Sequence, residues 1–212
     1  MSIYGTVGAV VNASENFGGA LVVFEGKPEL LIGGFNFNMD DLPAVGEVLP
    51  CGTPVYCNEA ADARSITPII TAKVTAISGT TVTLDDHGFG NVAFKVGATV
   101  AELGSNLDSA ATNYATISSK NGNVLTLSGA ITGLAVGDIL TEVDATTKKV
   151  KAIPNALLPY DIRRGDNETG RTGDGMYAND RPILERRMPA VNDAIKTALK
   201  NAGCNFRWSN RK

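Results

Sequence analysis

The sequence predicts a mainly β protein: a small barrel or sandwich built from a tandem strand repeat, with an N-terminal β arm and one C-terminal α-helix. Three observations predict it. A short strand–turn–strand pattern is written twice, as KVTAISGTTVTLDDHGFGNVAFKVGATVAE from Lys73 and as YATISSKNGNVLTLSGAITGLAVGDILTE from Tyr114 to Glu142. Glycine is abundant at 23 residues while aromatics make up 6%, which suits a turn-dense β protein better than a helical bundle. Only the stretch after Met188 carries a convincing helical apolar spacing.

The expected organisation is an arm over residues 1–45, a β-repeat domain over 46–153, and a C-terminal loop, helix and tail over 154–212. In the arm, strand-like runs at Thr6–Val11, Ala20–Phe24 and Glu29–Phe35 are punctuated by Gly18-Gly19, Gly26 and Gly33-Gly34. The run GALVVFEG is apolar on both faces, the pattern of a strand buried or packed on a partner. A Val-Gly pair then occurs at 45, 96 and 136, each time ahead of a short apolar run. There the glycine supplies a left-handed turn residue that starts a strand. Pro54–Cys57 reads as a strand, and residues 58–68 as a polar link.

Within the repeat, Lys73–Ile77 and Thr81–Leu84 alternate with the period of half-buried strands joined by a tight turn at Ser78-Gly79. The second copy places Asn121-Gly122 at the same turn, with both residues expected to tolerate positive φ. The turns lie 43 positions apart but the Val-Gly pairs only 40, so the first copy carries a small insertion. Residues 102–113 read as a loop or one short helix. Lys148–Ile153 reads as a further strand stopped by Pro154, and residues 163–181 as a long exposed loop. Pro189 suits a first helical position. Val191, Ile195, Ala198 and Leu199 then form one apolar face, and Gly203 terminates the helix. In the tail, Phe206 and Trp208 point the same way, and the tail is expected to dock.

Composition narrows function. A net charge of −3 argues against a nucleic-acid-binding surface. No window approaches 18 apolar residues, so no membrane-spanning helix is expected, and the N-terminus lacks the basic and apolar regions of a secretory signal. The three cysteines show no CxxC spacing and read as free, buried thiols of a protein made in a reducing cytoplasm. His87 is the one histidine; Asp85, Asp86 and His87 read as a turn rather than a metal site, since consecutive residues rarely converge on one ion. No nucleophile elbow or phosphate loop accompanies it. No catalytic residue, metal ligand or cofactor is therefore assigned. A hydrolase would have to be built on Asp85, Asp86 or His87.

Three stretches, in order along the chain, carry a resemblance. They are LPCGTPVYCNEA leading into TAKVTAI, the paired units TVTL…FKVGATV and VLTL…LAVGDIL, and PNALLPYDI followed by ILERRMPAVNDAIKTAL. Together, over roughly residues 49–200, they resemble the head fibre and head decoration proteins of tailed bacteriophages. The resemblance implies a non-enzymatic virion component made in the host cytoplasm. It implies a homotrimer fixed to the capsid exterior, with the major capsid protein and itself as partners, to stabilise the shell or adhere to a surface. The first 45 residues and the 163–181 segment fall outside the family pattern. On this reading the capsid- or subunit-contacting residues are Val22, Val23, Phe24, Phe35 and Phe37 in the arm, and Val191, Ile195, Leu199, Phe206 and Trp208 near the C-terminus. Packing inside one subunit is the competing expectation for each. A carbohydrate- or cell-surface-binding β module, using Tyr114 or Tyr177 as a sugar platform, is the alternative function.

Overall fold

A computed structural model describes residues 23–209, except residue 25 and residues 61–63. The expected run Thr6–Val11 and the contact residue Val22 lie outside the described residues. The fold is mainly β, with two closed barrels. One contains strands β1 (Pro28–Phe37), β3 (Pro54–Asn58), β4 (Ser65–Pro68), β11 (Ala156–Leu157) and β13 (Arg171–Asn179). The other contains β5 (Thr71–Ser78), β6 (Thr81–Leu84), β7 (Thr99–Glu102), β8 (Tyr114–Asn121), β9 (Val124–Leu127) and β10 (Ile139–Val143). Two short pairs complete the sheets: β2 (Val48–Leu49) with β12 (Ile162–Arg163), and β14 (Ile183–Leu184) with β15 (Trp208–Ser209).

The six-stranded barrel is the tandem repeat folded on itself. Its strand order, β10-β5-β6-β9-β8-β7, is unchanged when β5, β6 and β7 are exchanged for β8, β9 and β10. The registers obey the same exchange. Thr81 pairs with Thr126 and Thr83 with Val124, about a centre at Val82 and Leu125. Leu140 pairs with Glu102, and Val100 with Glu142. Even the bulges correspond, between Val74 and Ala76 in one copy and between Ile117 and Ser119 in the other. Alternation puts Val82, Leu84, Leu125 and Leu127 inward on two facing hairpins. Both hairpin turns place glycine at the first corner, with φ of 60° at Gly79 and at Gly122. Asn121 has no positive φ and ends its strand, so the expected Asn-Gly turn is a Gly-first turn of the II′ kind.

The three Val-Gly pairs build one device three times. Backbone turns close from Glu47 N–H to Ala44 O at 3.0 Å, from Ala98 to Lys95 at 3.2 Å and from Asp138 to Ala135 at 3.2 Å. The glycines sit at φ of 82°, 88° and 102°. A side chain there would be strained, because positive φ crowds Cβ. Each glycine N–H donates to a carbonyl on the neighbouring strand, at Arg164, Ile117 and Val74, and that residue's N–H returns the bond to the last residue of the turn. The separate β2–β12 pair therefore repeats the start of the β7–β8 and β10–β5 ladders.

The sheets do not follow the expected divisions at 45 and 153. The supposed arm supplies β1, the longest strand of the five-stranded barrel, and that barrel is completed by residues from beyond the repeat. The segment expected as an exposed loop at 163–181 contains β13, which pairs with β1 and β11. It was hard to read because two of its buried positions, Gly173 and Gly175, are glycines. The Phe37 ring lies over Gly173, where an added Cβ would stand 2.6 Å from Cε2. At Gly175 a Cβ would meet Cys57 Sγ at 2.6 Å and Ala156 Cβ at 2.8 Å. Gly175→Val should therefore destabilise the protein by about 1–3 kcal/mol through overpacking. Gly170→Ala, with nothing near its added methyl, is the control. Equal thermal midpoints for the two variants would refute the close approach.

The expected strand Lys148–Ile153 is reduced to a single bridge between Val143 and Val150. Residues 103–113 are a loop. The helix, α1, runs Asp193–Asn201 rather than from Pro189. It starts there because the Asn192 side chain accepts from Ile195 N–H at 3.0 Å and caps it. Gly203, at φ 87°, ends it as expected, with Gly203 N–H bonded to Lys200 O and Cys204 N–H to Leu199 O. One apolar cluster runs through both barrels, from Phe35 and Leu49 to Leu125 and Leu140. A second joins α1 to the five-stranded barrel through Leu157, Met176, Ile183, Ile195 and Leu199.

Candidate functional site

The residues expected to make contacts divide by burial. Val23, Phe35, Phe37, Ile195 and Leu199 are buried in the chain's own core. Phe35 and Phe37 lie in the cluster running through both barrels, and the other three lie in the second cluster, Ile195 and Leu199 on the inner face of α1 and Val23 packed with them. Phe24, Val191, Phe206 and Trp208 are half-buried at the margin of that second cluster. The structure gathers Phe24, Phe206 and Trp208 around β14. Phe24 bridges Ile183 on one side and Trp208 pairs with it on the other. Phe206 and Trp208 meet edge to face, with ring centroids 5.7 Å apart. Lys196, on α1, places its ammonium 5.3 Å from the Trp208 ring and 2.6 Å from Glu185, tying helix and tail together. Among the described residues β15 pairs with β14.

The Asp85–Asp86–His87 stretch is a turn. Asp85 Oδ1 accepts from His87 N–H and Asp86 Oδ1 from Gly88 N–H, both at 3.1 Å, and His87 adopts φ 51°. Its imidazole is tucked inward, with only 9% of the side chain exposed and Nδ1 3.8 Å from Asp85 Oδ1. Burial holds the imidazole below its ordinary range, against the opposing pull of Asp85 and then Asp86. Lys73, Glu185 and Arg186 line the adjoining open groove.

A pH dependence follows. The unfolded chain takes up a proton near pH 6.5, and folded His87 only at lower pH. The stability it contributes is complete above that value and erodes as pH falls from 6.5 towards the folded value. The slope is at most about 1.4 kcal/mol per pH unit. Urea midpoints at pH 7.5 and 5.5 should differ less in His87→Gln than in wild type. An unchanged difference would show that His87 is not protonated late.

No three His, Cys, Asp or Glu side chains group into a metal site among the described residues. Cys51, Cys57 and Cys204 are free thiols. Burial pushes Cys57 up to about 12 and Cys204 to about 11, and burial with the Asp161 carboxylate raises Cys51 further. Such thiols stay protonated and unreactive. Of the two candidate sugar platforms, Tyr114 is exposed but has the Lys148 ammonium 4.4 Å from its ring centroid, and Tyr177 is half-buried.

Sequence reasoning missed Lys120. Its side chain is 8% exposed, and Nζ donates to Glu47 at 2.6 Å and to the carbonyls of Val92 and Phe94 at 2.8 Å each. It fastens the first Val-Gly turn to the six-stranded barrel. A signal was present: at the equivalent place in the first copy stands Ile77, packed on the core. Lys151 makes a similar bridge, 2.9 Å from both Asp41 and the buried Glu142.

No family model matches the chain, and no curated protein or solved structure matches it significantly.

Proposed function

We propose that this chain is a structural component of a tailed-bacteriophage virion, a head fibre or decoration protein seated on the capsid exterior. It acts by self-association and by contact with the major capsid protein, without catalysis. The sequence motifs over residues 49–200 support the reading. The structural observation that carries it is the group of half-buried aromatics, Phe24, Phe206 and Trp208, gathered around β14. A group of partly buried aromatic rings is a place where another chain adds by covering the exposed ring surface.

The test is imaging of capsids assembled with and without the chain, alongside binding of the purified protein to bare capsids. Wild type should add density outside the shell. Phe206→Ala with Trp208→Ala should lower retention at least tenfold while the protein still unfolds cooperatively. Failure of wild-type protein to bind any capsid from its own source would sink the proposal. Glycan binding that depends on Tyr114, with no capsid binding, would replace it by the sugar-binding alternative.

A further inference from the structure

We propose that the chain binds one internal water molecule between Thr71, His87 and Asn91, and that this hydration site fastens the insertion of the first repeat to the start of β5. The site is independent of the virion reading. Thr71 Oγ1, His87 Nε2 and Asn91 Oδ1 are buried polar atoms with no hydrogen-bond partner in the protein. All three residues line the same cavity, whose remaining walls include Ile70, Val92 and Pro189. Three such atoms converging on one small space is a pattern that native interiors resolve with ordered water. The cavity offers about 20 Å³ to the centre of a water-sized sphere. One water molecule needs roughly 10–15 Å³ by that measure.

The donor and acceptor pattern selects the ligand. Asn91 Nδ2 donates to Phe89 O at 3.3 Å, which orients its amide and leaves Oδ1 as the acceptor facing inward. Asp85 Oδ1 lies on the Nδ1 side of His87, favouring a proton there and leaving Nε2 as a second acceptor. The Thr71 hydroxyl rotates to donate. Two acceptors and one donor complement a single water, which gives two hydrogen bonds and accepts one. An anion is repelled by the two lone pairs. Asp85 and Asp86 also line the cavity, but each turns one oxygen to a backbone N–H of its own turn, and no three His, Cys, Asp or Glu side chains group for a metal ion among the described residues.

The position gives the site its consequence. Residues 85–95 contain the three extra residues that distinguish the first copy from the second. The same stretch approaches the sister hairpin, where a Cβ on Gly122 would stand 2.7 Å from Gly90 O. A water tied to Thr71 on β5, to His87 and to Asn91 therefore holds the insertion down over the barrel end.

Four measurements on the full chain test this. A high-resolution crystal structure should show one water within hydrogen-bonding distance of all three atoms, and long-range proton–nitrogen spectra should show the Nδ1–H tautomer. A dry cavity, or Nε2–H bonded directly to Asn91 Oδ1, overturns the proposal. Titration with Zn²⁺ alone should leave the His87 ring signals in place. Stoichiometric Zn²⁺ binding that His87→Gln abolishes would make this a metal site instead. Thr71→Val should raise amide exchange across residues 85–91 about tenfold or more while β9 stays protected. Thr71→Ser, which keeps the hydroxyl, should exchange like wild type; equal rates in both variants overturn the proposal.

Discussion

Ile195→Asp should abolish the native fold rather than release intact subunits. Ile195 is fully buried on the inner face of α1, against a cluster containing Leu157, Met176, Ile183 and Leu199. Removing a buried isoleucine costs roughly 2–5 kcal/mol. The introduced carboxylate adds the penalty of a buried charge without a partner. The sum is comparable with the whole stability of a domain, about 5–15 kcal/mol. The expected readout is loss of the cooperative urea transition. Thr197→Asp, on the exposed side of the same helix, should shift stability by no more than about 0.5 kcal/mol. A folded Ile195→Asp protein of reduced mass would mean that this helix face meets another subunit, and that its burial against the barrel is not its native state.

What the sequence made legible follows from periodicity. Two copies of an alternating pattern, each closed by a Gly-first turn, carry enough local information to specify a barrel with internal two-fold character. The Val-Gly pairs mark the strand starts because only glycine rests comfortably at the positive φ seen at Gly46, Gly97 and Gly137. The five-stranded barrel was hidden for the opposite reason. Its β13 is assembled by register with β1, and it turns Gly173 and Gly175 to places where neighbouring side chains fill the space. With glycine at two of its buried positions, and Met176 and Ala178 buried beside them, the strand shows no simple apolar alternation. Its closure also needs a parallel contact between β1 and β4, which no local turn announces.

The contact surface was legible in kind and not in detail. An amphipathic helix face shows that something covers it, but periodicity is silent on whether the cover is the same chain. For Ile195 and Leu199 the five-stranded barrel supplies it, whereas Phe206 and Trp208 stay half-buried at the tail. The polar anchors were hidden by the same locality: Lys120 and Glu47 are 73 positions apart. Comparing the two copies position by position would have flagged a lysine where the sister strand holds Ile77.

Lys120→Ala should destabilise the protein by about 3 kcal/mol, with a larger effect than Glu47→Ala. Breaking a buried ion pair from one side costs roughly 3–5 kcal/mol, because the remaining charge stays desolvated. The low end applies because the Glu47 side chain keeps 18% of its surface exposed. The asymmetry comes from the remaining bonds. Without Lys120 the carbonyls of Val92 and Phe94 lose a charged donor together with Glu47, and each unpaired buried group adds its own penalty. Without Glu47 the ammonium still reaches both carbonyls. Urea unfolding of the two single variants and the double variant closes the cycle. The double variant should be less destabilised than the two single losses added together. Additive losses would mean that the pair is solvated and contributes little. A Glu47→Ala effect exceeding that of Lys120→Ala would mean that the carbonyl bonds do not hold this turn to the barrel.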